Sequence, residues 1–438
     1  MSLTKVSFSM ISGAPANILD YGADPTGVAD STTAIQAALD ASSNVYIPSG
    51  TYKTTAALSI TGNSKFVHGD GANSVIKPYG AINAIQVGDG INNVNLGGIS
   101  NILIQAGTTT VLRGIYMRNA REFDLYGITL FGIDDSNRSF VNQAVLCTYC
   151  WRNNLTSIYG AYITGDGIVL GTGTVGTECN AMTLTGCKLN RLTGTGYAGY
   201  GAGHTLSGCS AEACTGGGAL FQYVAGLAIS GGYFEQCGAA NLGHTIKIGT
   251  SQNAGSITGV YIAASGLTNH RAIELDTING LFVSGVNFTG LTGAGSYGIY
   301  TGASVGGVIA LANVNENGSP GILYGGTSYP SSITFDGANL NNGASIGSGS
   351  TITKYISTTS VLTPPAITSV PGYCETIIAV SGAAVGDTVT VGGPVSGTLT
   401  MVAYVPTGGA SVNIRWLQLS GPPETPVSGT YRVDVWQH

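Results

Sequence analysis

The chain is short of charge. Only 9% of its 438 residues are Asp, Glu, Lys or Arg, the net charge is −6, and the 16 Lys and Arg are scattered. No basic patch of the kind that grips a phosphate backbone is present, so nucleic acid is not an expected partner. Long hydrophobic runs are missing as well. No stretch reaches the ~18 apolar residues that span a bilayer, so membrane insertion is not expected. The opening MSLTKVSFSMISGAPAN has one Lys and no sustained apolar core, and is not read as a signal peptide. Eight cysteines are too few for a disulfide scaffold of this length. Cys147 and Cys150 have CxxC spacing, but no second CxxC completes a zinc site. No metal or cofactor is expected, and the thiols are read as reduced core residues of a chain made in a cytoplasm.

What the chain has is glycine, 68 of them, with much Thr, Ser, Asn, Ile and Val. Strands and tight turns should dominate. LSGCSAEAC at 206–214 is answered 23 residues later by ISGGYFEQC at 229–237, with Glu212 matching Glu235. The pair belongs to a series of polar–apolar–polar triplets. These are Lys188-Leu189-Asn190, Ser210-Ala211-Glu212, Tyr233-Phe234-Glu235, Tyr261-Ile262-Ala263, Asn287-Phe288-Thr289, Asn313-Val314-Asn315 and Asn339-Leu340-Asn341. An apolar residue precedes each, at Leu184, Leu206, Ile229, Ile257, Val283, Ile309 and Phe335. Short strands repeating every ~20–30 residues, with period-two alternation and one buried face, predict a solenoid of the parallel β-helix type.

A solenoid needs a cap at its end. ADSTTAIQAALDAS predicts a short helix, started by Asp30 or Ser31, with Ile35, Ala38 and Leu39 on its apolar face. VYIPSGTYKT then predicts strand, turn and strand. The resulting division is an arm at 1–17, a cap at 18–44, a parallel β-helix at 45–356, a Ser/Thr/Pro-rich linker at 357–371 and a small antiparallel β-sandwich at 372–438.

The run NILDYGADPTGVADSTTAIQAALDA followed by VYIPSGTYKT resembles the opening of pectate-lyase-like β-helix proteins, and of phage tailspikes in particular. GAAVGDTVTV, YVPTGGASVNIRWLQLSG and SGTYRVDVW are similar to small terminal domains of phage tail proteins. The resemblance implies a right-handed β-helix in a homotrimer, carried on a virion and acting on a bacterial surface polysaccharide: capsule, O-antigen or exopolysaccharide. The short arm would attach it to other tail proteins. The signatures of two cellular relatives do not carry over. GIDDSN supplies Asp134 and Asp135, and GAGHT supplies His204, but NTD, GHG and RIK are absent, as are the WIDH and RxPxxR patterns.

The inward setting of Phe234 turns Glu212 and Glu235 outward. Adjacent rungs lie ~4.8 Å apart, so the two carboxylates are expected ~5 Å apart, the separation of retaining glycosidases. Like charges at that spacing separate an acid from an ionised partner. These two are the first-choice catalytic residues. Tyr233 offers a sugar platform, and Lys188, Asn190 and Arg191 offer contacts to hydroxyls or acidic groups. The plainer reading is that the glutamates are solvated or paired with Lys188 or Arg191. Glu274 and Asp276 form a second-choice pair, ~7 Å apart on one strand face, but Lys247 one rung earlier suggests an ordinary Lys–Glu ladder. Asp166 and Trp151 are further substrate-binding candidates, each with a structural alternative in turn chemistry or packing. His204, His244 and His270 are isolated. The activity expected is glycosidic hydrolysis. A lyase with a Tyr or His base, or a spike that binds without cutting, stands behind it.

Overall fold

The computed structural model describes residues 13–438 except 240–242, 250–254, 265–266, 292–295, 303–305, 313–314, 318–321, 327–331, 337–344, 347–354, 381–382, 395–398 and 437–438, and describes side chains outside 279, 303–359 and 436. It divides into two units, one of residues 1–331 with 335–350 and one of 351–438 with 332–334.

The first unit opens with the helix Thr32–Ala41, whose buried face is Ile35, Ala38 and Leu39. Asp30, not Ser31, tends its first turn. The Thr32 N–H donates to Asp30 Oδ1 at 3.0 Å, while the buried Ser31 hydroxyl accepts from the Asp24 N–H. Strands Asn44–Ile47 and Gly50–Thr54 follow and start the coil.

Every strand pair described in this unit is parallel, as in the rungs Thr183–Thr185, Thr205–Ser207 and Ala228–Glu235. Each coil carries a first and a second short strand meeting at a corner, then a third strand in a separate ladder. The corner explains one recurring glycine of the repeat. Gly127, Gly186, Gly208, Gly231, Gly259 and Gly285 recur there with φ of 63, 60, 60, 55, 62 and 63°. A Cβ at Gly231 would touch nothing within 4 Å, so the left-handed backbone, not space, favours glycine.

Inside, Leu184, Leu206, Ile229, Ile257 and Val283 line one face, Leu189, Ala211, Phe234, Ile262 and Phe288 the second, and Ile168, Tyr197, Ala219, Ile246 and Ile273 the third. Tyr197 brings a phenol into this core and satisfies it by donating to the carbonyls of Cys187 and Ser210. All eight cysteines are free and buried. Cys187 lies against Cys209, and Cys214 against Cys237.

Two expectations need correction. Val283 pairs with Leu311, not Ile309, and Asn287-Phe288-Thr289 pairs with Asn315-Glu316-Asn317, not with the triplet from Asn313. A bulge between Asn279 and Leu281 takes up one extra residue, and the net slip of two residues from the expected register keeps the same faces in and out, so alternation alone could not detect it. Asn339-Leu340-Asn341 and the side chains of Ile309 and Phe335 lie outside the described residues, as does most of the N-terminal arm.

The second correction concerns the linker. Tyr355–Leu362 is a strand that pairs antiparallel with Gly429–Trp436, so 357–362 belongs to the second unit's sheet. Ser and Thr at 357–360 satisfy a strand as readily as a linker. That unit stacks two three-stranded antiparallel sheets, with Trp416, Tyr431, Val412, Ile414 and Val433 buried in its core.

Candidate functional site

The second-strand face of the β-helix brings two outward-set columns side by side, exposed or half-buried except at the buried Ala161 and Ala263. One runs Phe131, Ala161, Asn190, Glu212, Glu235, Ala263; the other runs Thr129, Tyr159, Lys188, Ser210, Tyr233, Tyr261. Glu212 and Glu235 are therefore direct cross-strand neighbours. Neither forms an ion pair among the described residues. Each has a neutral donor instead. Asn190 Nδ2 donates to Glu212 Oε2 at 2.9 Å, and the Tyr233 hydroxyl donates to Glu235 Oε2 at 2.5 Å. The Glu235 carboxylate beside it pushes the Tyr233 phenol up to about 12, so it stays a donor.

Aromatic rings flank the carboxylates. Tyr233 stacks on Tyr261 with centroids 5.5 Å apart and planes 3° from parallel. Below, Phe131 meets Tyr159 edge-on at 5.4 Å. Burial raises the Tyr159 phenol, with a smaller contribution from Tyr162 and Glu212.

Sequence reasoning did not join the GIDDSNR loop to this face. Asp134 folds the loop on itself by accepting from the Ser136 and Asn137 N–H groups. Asp135 bridges two cations, Arg138 at 2.8 Å and Arg191 at 2.9 Å. Arg138 also reaches Thr193 Oγ1 at 3.3 Å. The loop is thus tied to the strand that carries Asn190. The plainer reading paired Arg191 with a glutamate of the pair; its partner is Asp135. The separation in sequence, 56 residues, hides this contact.

The second-choice pair sits differently. Glu274 is 5% exposed and accepts from Lys247 Nζ at 2.9 Å and Arg271 Nη1 at 3.1 Å. Burial would raise its carboxyl, but the two cations outweigh it and hold it below its ordinary range. Asp276, two residues on, is half-buried. A Glu sealed between two cations is held ionised and out of reach of a substrate, so Glu274 is a structural ion pair.

Asp166 accepts the Thr195 N–H at 2.8 Å, and burial raises its carboxyl. It tethers two rungs rather than facing the carboxylate pair. Lys188 is exposed between Tyr159 and Ser210. Trp151 lies elsewhere in the coil, in a column with Arg121 and Asn180. His204 and His270 are fully buried, and burial lowers both, His270 to about 4. Among the described residues no cluster of three or more His, Cys, Asp or Glu could hold a metal, and no helix is long and apolar enough to cross a membrane.

Residues 16–220 match the family model described as rhamnogalacturonase A/epimerase, pectate lyase-like. No curated protein matches the chain. Similar solved structures include a tailspike protein of E. coli bacteriophage HK620, 12% identical over 96% of this chain and 93% of that one, with a TM-score of 0.57. A tailspike protein of Pseudomonas phage LKA1 is 14% identical over 96% and 99%, with a TM-score of 0.55. The A-module of a mannuronan C-5 epimerase of Azotobacter vinelandii is 17% identical over 74% and 98%, with a TM-score of 0.56. Residues 16–220 thus carry a pectate-lyase-like domain, and the β-helix they open has the fold of phage tailspikes.

Proposed function

We propose that the protein is a phage tailspike that binds a bacterial surface polysaccharide and cleaves it by glycosidic hydrolysis at Glu212 and Glu235. The observation that carries this reading is their cross-strand register on an open face lined by aromatic rings. Rung spacing of ~4.8 Å sets the carboxylates at the distance of a retaining pair. In this scheme Glu212 protonates the glycosidic oxygen while Glu235 attacks the anomeric carbon through the oxygen not held by Tyr233. Water, deprotonated by Glu212, then releases the sugar from Glu235 and restores both groups. Asn190 orients the acid and Tyr233 orients the nucleophile. Tyr261, Tyr159 and Phe131 supply ring faces for neighbouring sugars.

Two observations favour hydrolysis over elimination. The phenols of Tyr159 and Tyr233 are both shifted upward, away from a base's working range. His204 and His270 are sealed in the core. Homotrimer assembly, a virion tail location and attachment through the N-terminal arm belong to the same proposal, on the strength of the fold.

The test is digestion of a panel of host capsule, O-antigen and exopolysaccharide by the wild type, Glu212→Gln and Glu235→Gln, with oligomeric state followed in parallel. Hydrolysis is expected to shorten one glycan without producing an unsaturated sugar that absorbs in the near ultraviolet. Both variants should bind that glycan and leave it intact. Unsaturated products would replace hydrolysis by a lyase reaction. Binding without shortening by the wild type would make the protein an adhesin.

A further inference from the structure

Away from the carboxylate pair, just ahead of the first strand of its rung, Trp151 forms the wall of a separate open pocket of about 280 Å³. Arg121, Arg152, Asn180 and Ala181 complete it. Asn180 shares a rung with Asn190 but lies ten residues earlier around the coil, on the other side of the glycine corner. The two sites are therefore on different faces.

The charge of this pocket is unusual for so acidic a chain. Arg152 is neutralised by Glu122 at 2.9 Å. Arg121 has no ion pair among the described residues, and its Nε is buried without a hydrogen-bond partner. What holds it is the indole: its guanidinium carbon lies 4.2 Å from the Trp151 ring centroid. A stacked guanidinium keeps its in-plane donors free for a planar anion. Asn180 uses Oδ1 to accept the Ala202 N–H at 2.9 Å, which leaves its NH₂ to donate. Tyr149, 40% exposed, meets Trp151 edge-on at 4.1 Å and extends the aromatic wall. The result is one unneutralised cation, one amide donor and an aromatic wall.

We infer that this pocket is an ancillary subsite for a carboxylate-bearing sugar, with Arg121 taking the carboxylate and Trp151 and Tyr149 the ring. It rests on the reading of the protein as polysaccharide-binding, but not on cleavage or on Glu212 and Glu235. A neutral sugar would leave the Arg121 charge unmatched.

The probe is a matched pair of tetrasaccharides, β-1,4-linked glucuronate and cellotetraose, which differ in having a carboxylate or a hydroxymethyl at C6. The full chain labelled with 5-fluorotryptophan reports on Trp151 by ¹⁹F NMR, while Trp416 in the other unit serves as an internal reference. The glucuronate chain is expected to shift the Trp151 signal and cellotetraose to leave it. Arg121→Gln should weaken the effect about tenfold or more. Asn180→Asp, which keeps the acceptor for Ala202 and adds a repelling charge, should do the same if Arg121→Gln fails to fold. Glu212→Gln and Glu235→Gln should leave the shift unchanged, so loss of cleavage and loss of this subsite are read separately. An equal response to both sugars, no Trp151 response to either, or full retention in folded Arg121→Gln or Asn180→Asp overturns the proposal.

Discussion

Glu212 with Glu235, and Glu274 with Asp276, look alike as sequence: two acids on one outward face, the first pair on successive repeats and the second on a single strand. In the folded chain they are opposites. The first pair lies in register on an open face with neutral partners, Asn190 and Tyr233. In the second, Glu274 is buried and clamped by Lys247 and Arg271, and Arg271 is itself stacked 3.8 Å from the Tyr300 ring centroid. The backbone period creates both arrangements equally. What separates them is which residues the neighbouring rungs supply. An acid free of cations keeps access to substrate and to a proton. An acid between two cations serves stability.

That division predicts a clean split between activity and stability. Removing either carboxylate of the open pair, as Glu212→Gln or Glu235→Gln, should lower the cleavage rate about 10³-fold, with a Tm change of no more than ~2 °C because exposed groups contribute little. A rate loss accompanied by a large Tm drop would erase the distinction. Glu274→Gln should do the reverse. It strands two partly buried cations and should cost about 3 kcal/mol, seen as a lower urea midpoint, with the cleavage rate per folded molecule unchanged. The pH dependence sharpens this. The Glu274 carboxyl is depressed in the folded state, so its contribution is complete above its ordinary value near 4.5 and is lost as pH falls through the lower folded value. The stability gap between wild type and Glu274→Gln should therefore close on acidification below pH ~4.

The repeat was legible because its period is enforced by geometry. Inward Leu189, Ala211 and Phe234 and the register of Glu212 with Glu235 follow from alternation and from nearly equal steps between these three rungs. The Lys247–Glu274 ladder followed from the same logic. Contacts made by loops were not legible. Nothing in GIDDSNR signals that Asp135 reaches Arg191, because a loop's landing point is set by three-dimensional closure and not by period. The register beyond Asn279 was misread for a related reason: the pairing slips by two residues in all, which leaves the alternation intact.

Histidine extends the comparison to the core. His270 is sealed under Thr245, whose hydroxyl meets Nε2 at 2.8 Å, and burial lowers it from 6.5 to about 4. A depressed histidine favours proton uptake by the unfolded chain between those values. Stability is then complete above pH 6.5 and declines as pH falls toward 4. At pH 5 the loss should be about 2 kcal/mol relative to neutral pH. His270→Gln should flatten this slope in urea titrations, whatever its pH-independent cost. An unchanged slope would show that other groups carry the acid sensitivity of the core.

The smallest effect should come from the charges nearest the open pair. Asp135 bridges Arg138 and Arg191, and all three side chains are between 27% and 50% exposed. At that exposure each bridge is screened and contributes at most ~1 kcal/mol, so Asp135→Asn should leave the urea midpoint nearly unchanged. Its effect should lie in orientation. Released from Asp135, Arg191 is free to swing toward Glu212 on the adjacent rung and compete with Asn190 for the carboxylate. KM should rise by about threefold at low salt, with the difference fading as ionic strength increases. A comparable change in kcat would mean that Asp135 acts on the reacting groups themselves, and the open site would then comprise three carboxylates instead of two.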